Sequence, residues 1–363
     1  MQAEKQFISS RQLQILVIMF TCGSSILLIP PALLQAKNDG WISGLIGLTL
    51  GILIILLYIK MSKVFINKTI YEANEQVFTT WIGKFVNILY FLYFFFLSAQ
   101  VLSNMGDFVT QSIMIETPKE YIHLLFLLPI VYGVKQGLEV ISRLAETVYP
   151  TFIILFILFV LLLIPDIELP HFEPVGEAGI KNILHFSLPF VSLPFLEFIV
   201  FLFIIPYVNT KVNVTKAMFK GSLLGGGSLV VLTFLVIGVL GDEVAAMYDY
   251  PTFLLAKQIN IADFMQRVEV IIAAIWIISL FVKLLITYYV SCEAICYIFS
   301  IKNVHIIAVP LGIVLWFLGN IVYPSNAFFA EFIKISVSYK IIFGIGFPIL
   351  TLLVERLRRK KMR

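Results

Sequence analysis

The chain has 363 residues, of which 60% are hydrophobic, 14% aromatic and 13% charged. Soluble domains average about 45–50% apolar and about 25% charged residues, so a soluble fold of this size would lack the polar side chains to cover its surface. The 33 Phe and the long Leu/Ile runs exclude intrinsic disorder, and a net charge of +4 with no basic, aromatic-interleaved stretch argues against a nucleic-acid surface. The class that remains is an all-α integral membrane protein with many spans.

Ten hydrophobic segments are predicted, near 13–34, 41–59, 85–111, 121–135, 145–164, 183–206, 218–240, 268–300, 304–323 and 333–354. Most reach the length needed for a transmembrane helix, and the fourth is short. The third and eighth are long enough to be tilted. The chain reads as a single transmembrane domain, 1–363, with a basic tail at 355–363. The first apolar run lacks the small-residue cleavage site of a signal peptide. With a cytoplasmic N-terminus, seven cations face outward: Lys37, Lys119, Lys181, Lys257, Arg267, Lys334 and Lys340. Eighteen others, from Lys5 to the tail cations Arg356–Arg363, face inward, and Lys283 lies within a span. This bias predicts ten spans with both termini cytoplasmic. The tail reads as a topology anchor, or as a contact with an anionic leaflet.

Two spans carry helix-breaking residues. The first reads Thr21-Cys22-Gly23-Ser24-Ser25-Ile26-Leu27-Leu28-Ile29-Pro30-Pro31. Pro30 has no N–H and leaves the carbonyl of Ile26 without its helical donor. The segment is expected to unwind near Gly23–Ser25 and resume as a short helix, whose first amides suit a carboxylate. The sixth reads Phe186-Ser187-Leu188-Pro189-Phe190-Val191-Ser192-Leu193-Pro194-Phe195-Leu196-Glu197-Phe198. Irregular backbone at membrane depth is tolerated only where it lines a cavity or is buried in protein. Breaks at matching positions of two five-span halves point to a binding site between them.

Ionisable residues within spans are by default functional candidates. Four are expected: Asp107, Glu197, Lys283 and Glu293. Glu197 reads either as a cap for the broken sixth span or as a group that meets a ligand or a proton. In the eighth span Trp276, Ser279, Lys283, Thr287 and Ser291 form one polar stripe. Lys283 either pairs with Glu197 or Asp107, or holds charge for its own sake. Thr287 is the preferred side-chain contact for a ligand. Glu293 lies off the stripe as a partner for loop cations. In the third span Tyr90, Tyr93, Gln100, Asn104, Asp107 and Gln111 share a face, with Tyr93, Leu97 and Gln100 at mid-depth and Asp107 near the outer mouth. That face reads as a pocket wall or as polar glue between helices.

Other residues point to no chemistry. Cys22, Cys292 and Cys296 sit in apolar runs and read as packing. His123, His171, His185 and His305 share no metal spacing, so no metal and no cofactor are expected. No nucleophile elbow or HExxH stretch supports an enzyme. Gly225-Gly226-Gly227 reads as a site of close packing or bending.

The segment Gly23-Ser24-Ser25-Ile26-Leu27-x-x-Pro30 resembles the G-S-G-I-F-x-x-P stretch in the first span of the amino acid–polyamine–organocation transporters. Phe195-Leu196-Glu197 resembles their G-F-E element in the sixth. Within that superfamily the chain is similar, over essentially its full length, to the B subunit of bacterial spore germinant receptors. The opening Ile8-Ser9-Ser10-Arg11-Gln12-Leu13 and the basic tail fit as well. Ser25 and Leu196 depart from the pattern, each replacing a Gly, and both narrow the pocket.

The resemblance implies a LeuT-like fold of two inverted five-helix repeats, roughly 10–165 and 180–355, with helices 1 and 6 broken. It implies a site for an amino acid or similar nutrient between spans 1, 3, 6 and 8. The ligand-binding candidates are Gly23, Ser24, Ser25, Ile26, Tyr93, Leu97, Gln100, Phe195, Leu196, Glu197 and Thr287. Lys283, Glu197 and Asp107 are candidates for coupling or charge. The family's eighth span supplies hydroxyl ligands for sodium, a place where Lys283 puts an ammonium, which argues against sodium dependence. The resemblance also implies A and C subunits as partners in the spore's inner membrane, with surrounding lipid and no nucleic acid. The expected function is nutrient sensing that triggers germination, with an amino acid:proton symporter as the alternative.

Overall fold

The computed structural model describes residues 7–209, 213–258 and 269–361. Lys5, Lys211, Arg267 and Arg363, counted above for orientation, lie outside these residues, as does the side chain of Lys334. The first predicted span is two helices, α1 (Ser10–Cys22) and α2 (Ser25–Leu33), and α3 is Gly40–Val64. A short helix α4 (Ile70–Phe78) precedes the long α5 (Thr80–Ser112), followed by α6 (Lys119–Gln136) and α7 (Leu138–Leu163). The sixth segment comprises α8 (Gly179–Phe186), α9 (Leu188–Phe190), a π turn at Val191–Phe195, a 3₁₀ stretch at Leu196–Val200 and α10 (Phe201–Ile204). Then come α11 (Val214–Leu240), the short α12 (Asp242–Ala246) and α13 (Pro251–Gln258), α14 (Glu269–Ile298) and α15 (Val304–Ile321). The last segment is α16 (Asn326–Ile341), a π turn at Ile342–Gly346 and α17 (Phe347–Lys361).

Among the described residues, eight helical stretches are long and apolar enough to cross a membrane. The first of them, Ser25–Val64, takes in the second half of the first predicted span, while α1, with 13 residues, is left out. The fourth segment is left out too: its 18 residues carry Lys119, Glu120 and Lys135. All ten predicted segments are nevertheless helical. The described chain begins and ends on one face of the bundle. Near its start, Ile8 N donates to Tyr207 O at 2.9 Å and Asn209 N donates to Ile8 O at 3.0 Å. Near its end, Arg358 donates to Gln76 O at 2.8 Å. The basic tail is no loose appendage, since Arg356–Lys361 forms the last turns of α17.

A capping box starts α1: Gln12 N donates to Ser9 Oγ at 3.1 Å, and Ser9 N donates to Gln12 Oε1 at 2.9 Å. The centre of the bundle holds α1, α2, the sixth segment from Phe190 onward and α14, most of whose residues are buried. The periphery carries large exposed apolar side chains, such as Leu125 and Leu128 on α6, Ile154 and Leu161 on α7, and Ile313 and Phe317 on α15. Such a continuous apolar rim suits lipid, not water.

In lipid no hydrophobic force drives helices together, so van der Waals contact carries the packing and small residues mark the close approaches. On α11, a Cβ at Gly221 would lie 2.8 Å from Val17 and one at Gly225 would lie 2.7 Å from Thr21, so these glycines let α1 lie flat on α11. On α3, Gly47 and Gly51 receive the rings of Phe190 and Phe195. The Gly225–Gly226 pair thus serves close packing, as its sequence suggests, while Gly227 faces open space.

Gly51→Val should lower the melting temperature in detergent, because even a Cβ there would meet Phe195 Cδ2 at 2.3 Å. Overpacking of this kind costs about 1–3 kcal/mol. An unchanged melting temperature would show that the sixth segment yields freely.

Candidate functional site

The break in the first span falls where Gly23 and Pro30 place it. α1 ends at Cys22, Gly23 adopts φ −32 and ψ −97, and α2 starts at Ser25. The Ile26 carbonyl that Pro30 leaves free accepts a hydrogen bond from Thr252 Oγ1 at 3.2 Å. A Cβ at Gly23 would stand 2.7 Å from Lys283 Cδ and 2.9 Å from its Cβ. Only glycine lets the lysine chain pass this close to the backbone.

The sixth segment differs from the expected unwinding. Its two prolines do not open the helix into a loop. They change its pitch, to a π turn at Val191–Phe195 and then to 3₁₀ turns at Leu196–Val200. π turns commonly mark functional positions. The Leu196 carbonyl accepts from Tyr58 OH at 3.1 Å and lies against Gly344, where a Cβ would approach it to 2.8 Å.

Glu197 follows directly, and it is clamped between two lysines. Lys340 Nζ donates to Oε1 at 2.6 Å, and Lys283 Nζ lies 2.7 Å from Oε2 as an ion pair without hydrogen-bond alignment. All three side chains are 1% exposed. Lys283 also stands 4.9 Å from the centre of the Phe20 ring, a cation–π contact. Of the two readings of Lys283, pairing with Glu197 is the observed one, and Asp107 is not its partner.

Lys340 corrects the sidedness count. It belongs to no outer loop: it lies inside the tenth segment, fully buried. The signal was present in the sequence, where Lys340 precedes the apolar run Ile341-Ile342-Phe343. Charge counting alone assigned it to the nearest loop.

Above this triad a small pocket of about 10 Å³, room for about one water, is lined by Ser24, Leu97, Gln100, Asn104, Leu193, Glu197 and Lys340 among others. It adjoins a vestibule of about 1020 Å³ that includes Gln35, Asp107, Lys119, His185, Tyr248 and Asn320. Leu28, Asn104, Tyr323, Phe329 and Ile333 line both. These five residues form the partition between the wide vestibule and the narrow inner pocket. The vestibule lies at the face opposite the two chain ends. Just beyond Gln35, Lys37 meets Glu177 at 2.6 Å and Asp39 accepts from Gly176 N and Ala178 N at 2.8 and 3.0 Å. The hydrogen bond and charge of Glu177 hold the Lys37 ammonium above the ordinary lysine range.

A family model described as spore germination protein matches residues 7–326. The chain belongs to this family. It is 29% identical over 314 residues to spore germination protein KB of Bacillus subtilis (strain 168), covering 85% of this chain and 83% of that one. It is 25% identical over 356 residues to spore germination protein YndE of the same organism, covering 97% of each. Its fold is similar to that of Mhp1, a nucleobase-cation-symport-1 family transporter solved in a closed conformation with bromovinylhydantoin bound. The TM-score is 0.65 at 11% identity, over 94% of this chain and 77% of the transporter. The fold is LeuT-like, and family and fold are those of a membrane receptor or transporter rather than of an enzyme.

Within this spore germination protein, Ser24, Leu97, Gln100 and Glu197 meet at the pocket. Gly23, Ser25, Phe195 and Leu196 are buried but do not line it. Tyr93 is buried too, stacked on Phe343 at 4.6 Å between ring centres. Ile26 lies on α2 with its carbonyl taken by Thr252. The polar stripe of α14 is buried throughout, but Thr287 does not line the pocket. It sits one turn from Lys283, and its hydroxyl donates to the carbonyls of Lys283 and Leu284. Asp107 stands apart in the vestibule, 2.6 Å from Lys119, near the mouth where it was expected. Glu293 makes no ion pair with a loop cation among the described residues and lies beside Tyr289. Gln100 Nε2 donates to Tyr339 OH at 3.1 Å, a link from the third span to the tenth that spacing did not suggest.

Glu197→Gln should destabilise the fold, since removing one member of a buried ionic cluster costs about 3–5 kcal/mol. Adding Lys340→Met should recover part of that loss, as it removes one of the two stranded cations. Melting temperatures in detergent check this, and a double variant less stable than Glu197→Gln alone would contradict the account of the triad.

Proposed function

We propose that the chain is the transmembrane subunit of a spore germinant receptor, and that it binds a small nutrient, an amino acid, at the inner end of the vestibule, where the one-water pocket beside Glu197 widens to admit it. Closure around the nutrient shifts a conformational equilibrium that A and C subunits read in the spore's inner membrane. The observation that carries this reading is the wide vestibule ending on a narrow pocket at the broken first helix. Discontinuous helices near mid-membrane are where LeuT-like proteins hold small solutes. The cation bias favours both chain ends on the core side, so the vestibule takes nutrient from outside.

An amino acid:proton symporter is the second reading, favoured by the buried Lys283–Glu197 pair beside the break. Ionisable pairs within spans serve as proton relays in transporters. Purified protein in liposomes separates the two. Concentrative amino acid uptake driven by a pH gradient would replace the receptor reading with the symporter reading.

Ser24→Leu is expected to abolish the germination response to nutrient while the protein stays in the membrane at its normal amount. Ser24 is 4% exposed and lines the pocket, so the larger side chain fills it. A germination dose response identical to that of the unaltered protein would remove the pocket from consideration.

A further inference from the structure

Glu197 is the only carboxylate in contact with Lys283 and Lys340 among the described ion pairs, so the cluster carries two formal positive charges and one negative. Oε1 of Glu197 accepts from Lys340, and Oε2 stands 2.7 Å from Lys283 Nζ as an ion pair with no hydrogen bond. Apart from Oε2, the groups left over around the cluster can all donate. The hydroxyls of Ser24, Ser25 and Tyr93 and the ammonium of Lys283 are buried without hydrogen-bond partners. Ser24 is 4% exposed and shares the pocket wall with Lys340 and Gln100. A buried site with one surplus cation and unpaired donors is complementary to an anion.

We propose that Lys340 and Ser24 read the carboxylate of the ligand, and that the carboxylate is the group binding requires while an α-ammonium is dispensable. This rests on the nutrient-pocket reading given above. The ligand carboxylate takes Lys340 from Glu197, and Glu197 keeps Lys283. One buried cation–carboxylate–cation cluster then becomes two neutral pairs. An amine without a carboxylate competes with Lys283 and Lys340 for the one carboxylate of Glu197 and adds a second surplus charge, so the pocket excludes it. Lys340 is thus a specificity-determining residue on the tenth segment, outside the four spans expected to form the site.

The experiment is ligand-dependent thermal shift on the purified full chain, with matched sets of an amino acid, its des-amino carboxylate and its decarboxylated amine. Alanine, propionate and ethylamine form one set; leucine, 4-methylpentanoate and isopentylamine form another. The expected result is stabilisation by both carboxylate-bearing members of at least one set and none by its amine. Lys340→Met should weaken that binding about tenfold or more, and Lys340→Arg should retain most of it. The unaltered protein alone tests the class, so a poorly folded variant does not blunt the result. Binding of an amine, or of an amino acid without its des-amino analogue, overturns the inference while leaving a nutrient pocket standing. Equal affinity for the amino acid in Lys340→Met overturns the role of Lys340. No shift with any compound in either set overturns the amino acid reading itself, and the inference with it.

Discussion

One carboxylate and two ammonium groups, all shut away from water, sit where the first, sixth, eighth and tenth segments converge. Burying an isolated ion costs several kcal/mol even after relaxation, so each member of this cluster is tenable only while the others stay in place. Glu197 comes from the 3₁₀ turns of the sixth segment, Lys283 from α14 and Lys340 from α16. The cluster therefore fixes the relative depth of three segments that hydrophobic packing alone leaves free to slide, because lipid tails are as apolar as the side chains between them. The glycines nearby follow from it. Gly23 makes room for the stem of Lys283, and Gly344 makes room for the Leu196 carbonyl beside Glu197.

The sequence displayed some of this and hid the rest, for physical reasons. Proline removes an amide wherever it stands, so the break before Pro30 and the freed carbonyl of Ile26 were readable without coordinates. The stripe from Trp276 to Ser291 was readable because four-residue spacing keeps side chains on one helix face. The form of the sixth segment was not. Pro189 and Pro194 show that regular hydrogen bonding fails, but not whether the helix opens or tightens into π and 3₁₀ turns. Lys340 was misplaced because charge bias is a statistical rule about loops, and it is blind to a lysine whose counter-ion lies 143 residues away in the chain. Thr287 shared the face of Lys283 as expected, yet a hydroxyl on a helix can satisfy itself on the preceding turn, and this one does.

The same residues tie the charge cluster to the partition above it. α16 carries Lys340 and also Phe329 and Ile333, two of the five residues that separate the pocket from the vestibule. It ends in the π turn Ile342–Gly346, a local departure from regular pitch of the kind that concentrates bending. Opening the partition by moving α16 therefore pulls on the Lys340–Glu197 hydrogen bond, and a new partner for Lys340 changes the position of the partition. Glu197, in turn, belongs to a segment tied at the far face, where Tyr207 accepts from the amide of Ile8. A change of partner at the charge cluster is thereby placed on a continuous path from the vestibule to the face that carries both chain ends. The path runs through packed backbone rather than through a chain of surface contacts, and the proposed exchange of Glu197 for a ligand carboxylate would give this packed core the second discrete ion-pairing arrangement that converts a small local change into a shift between states.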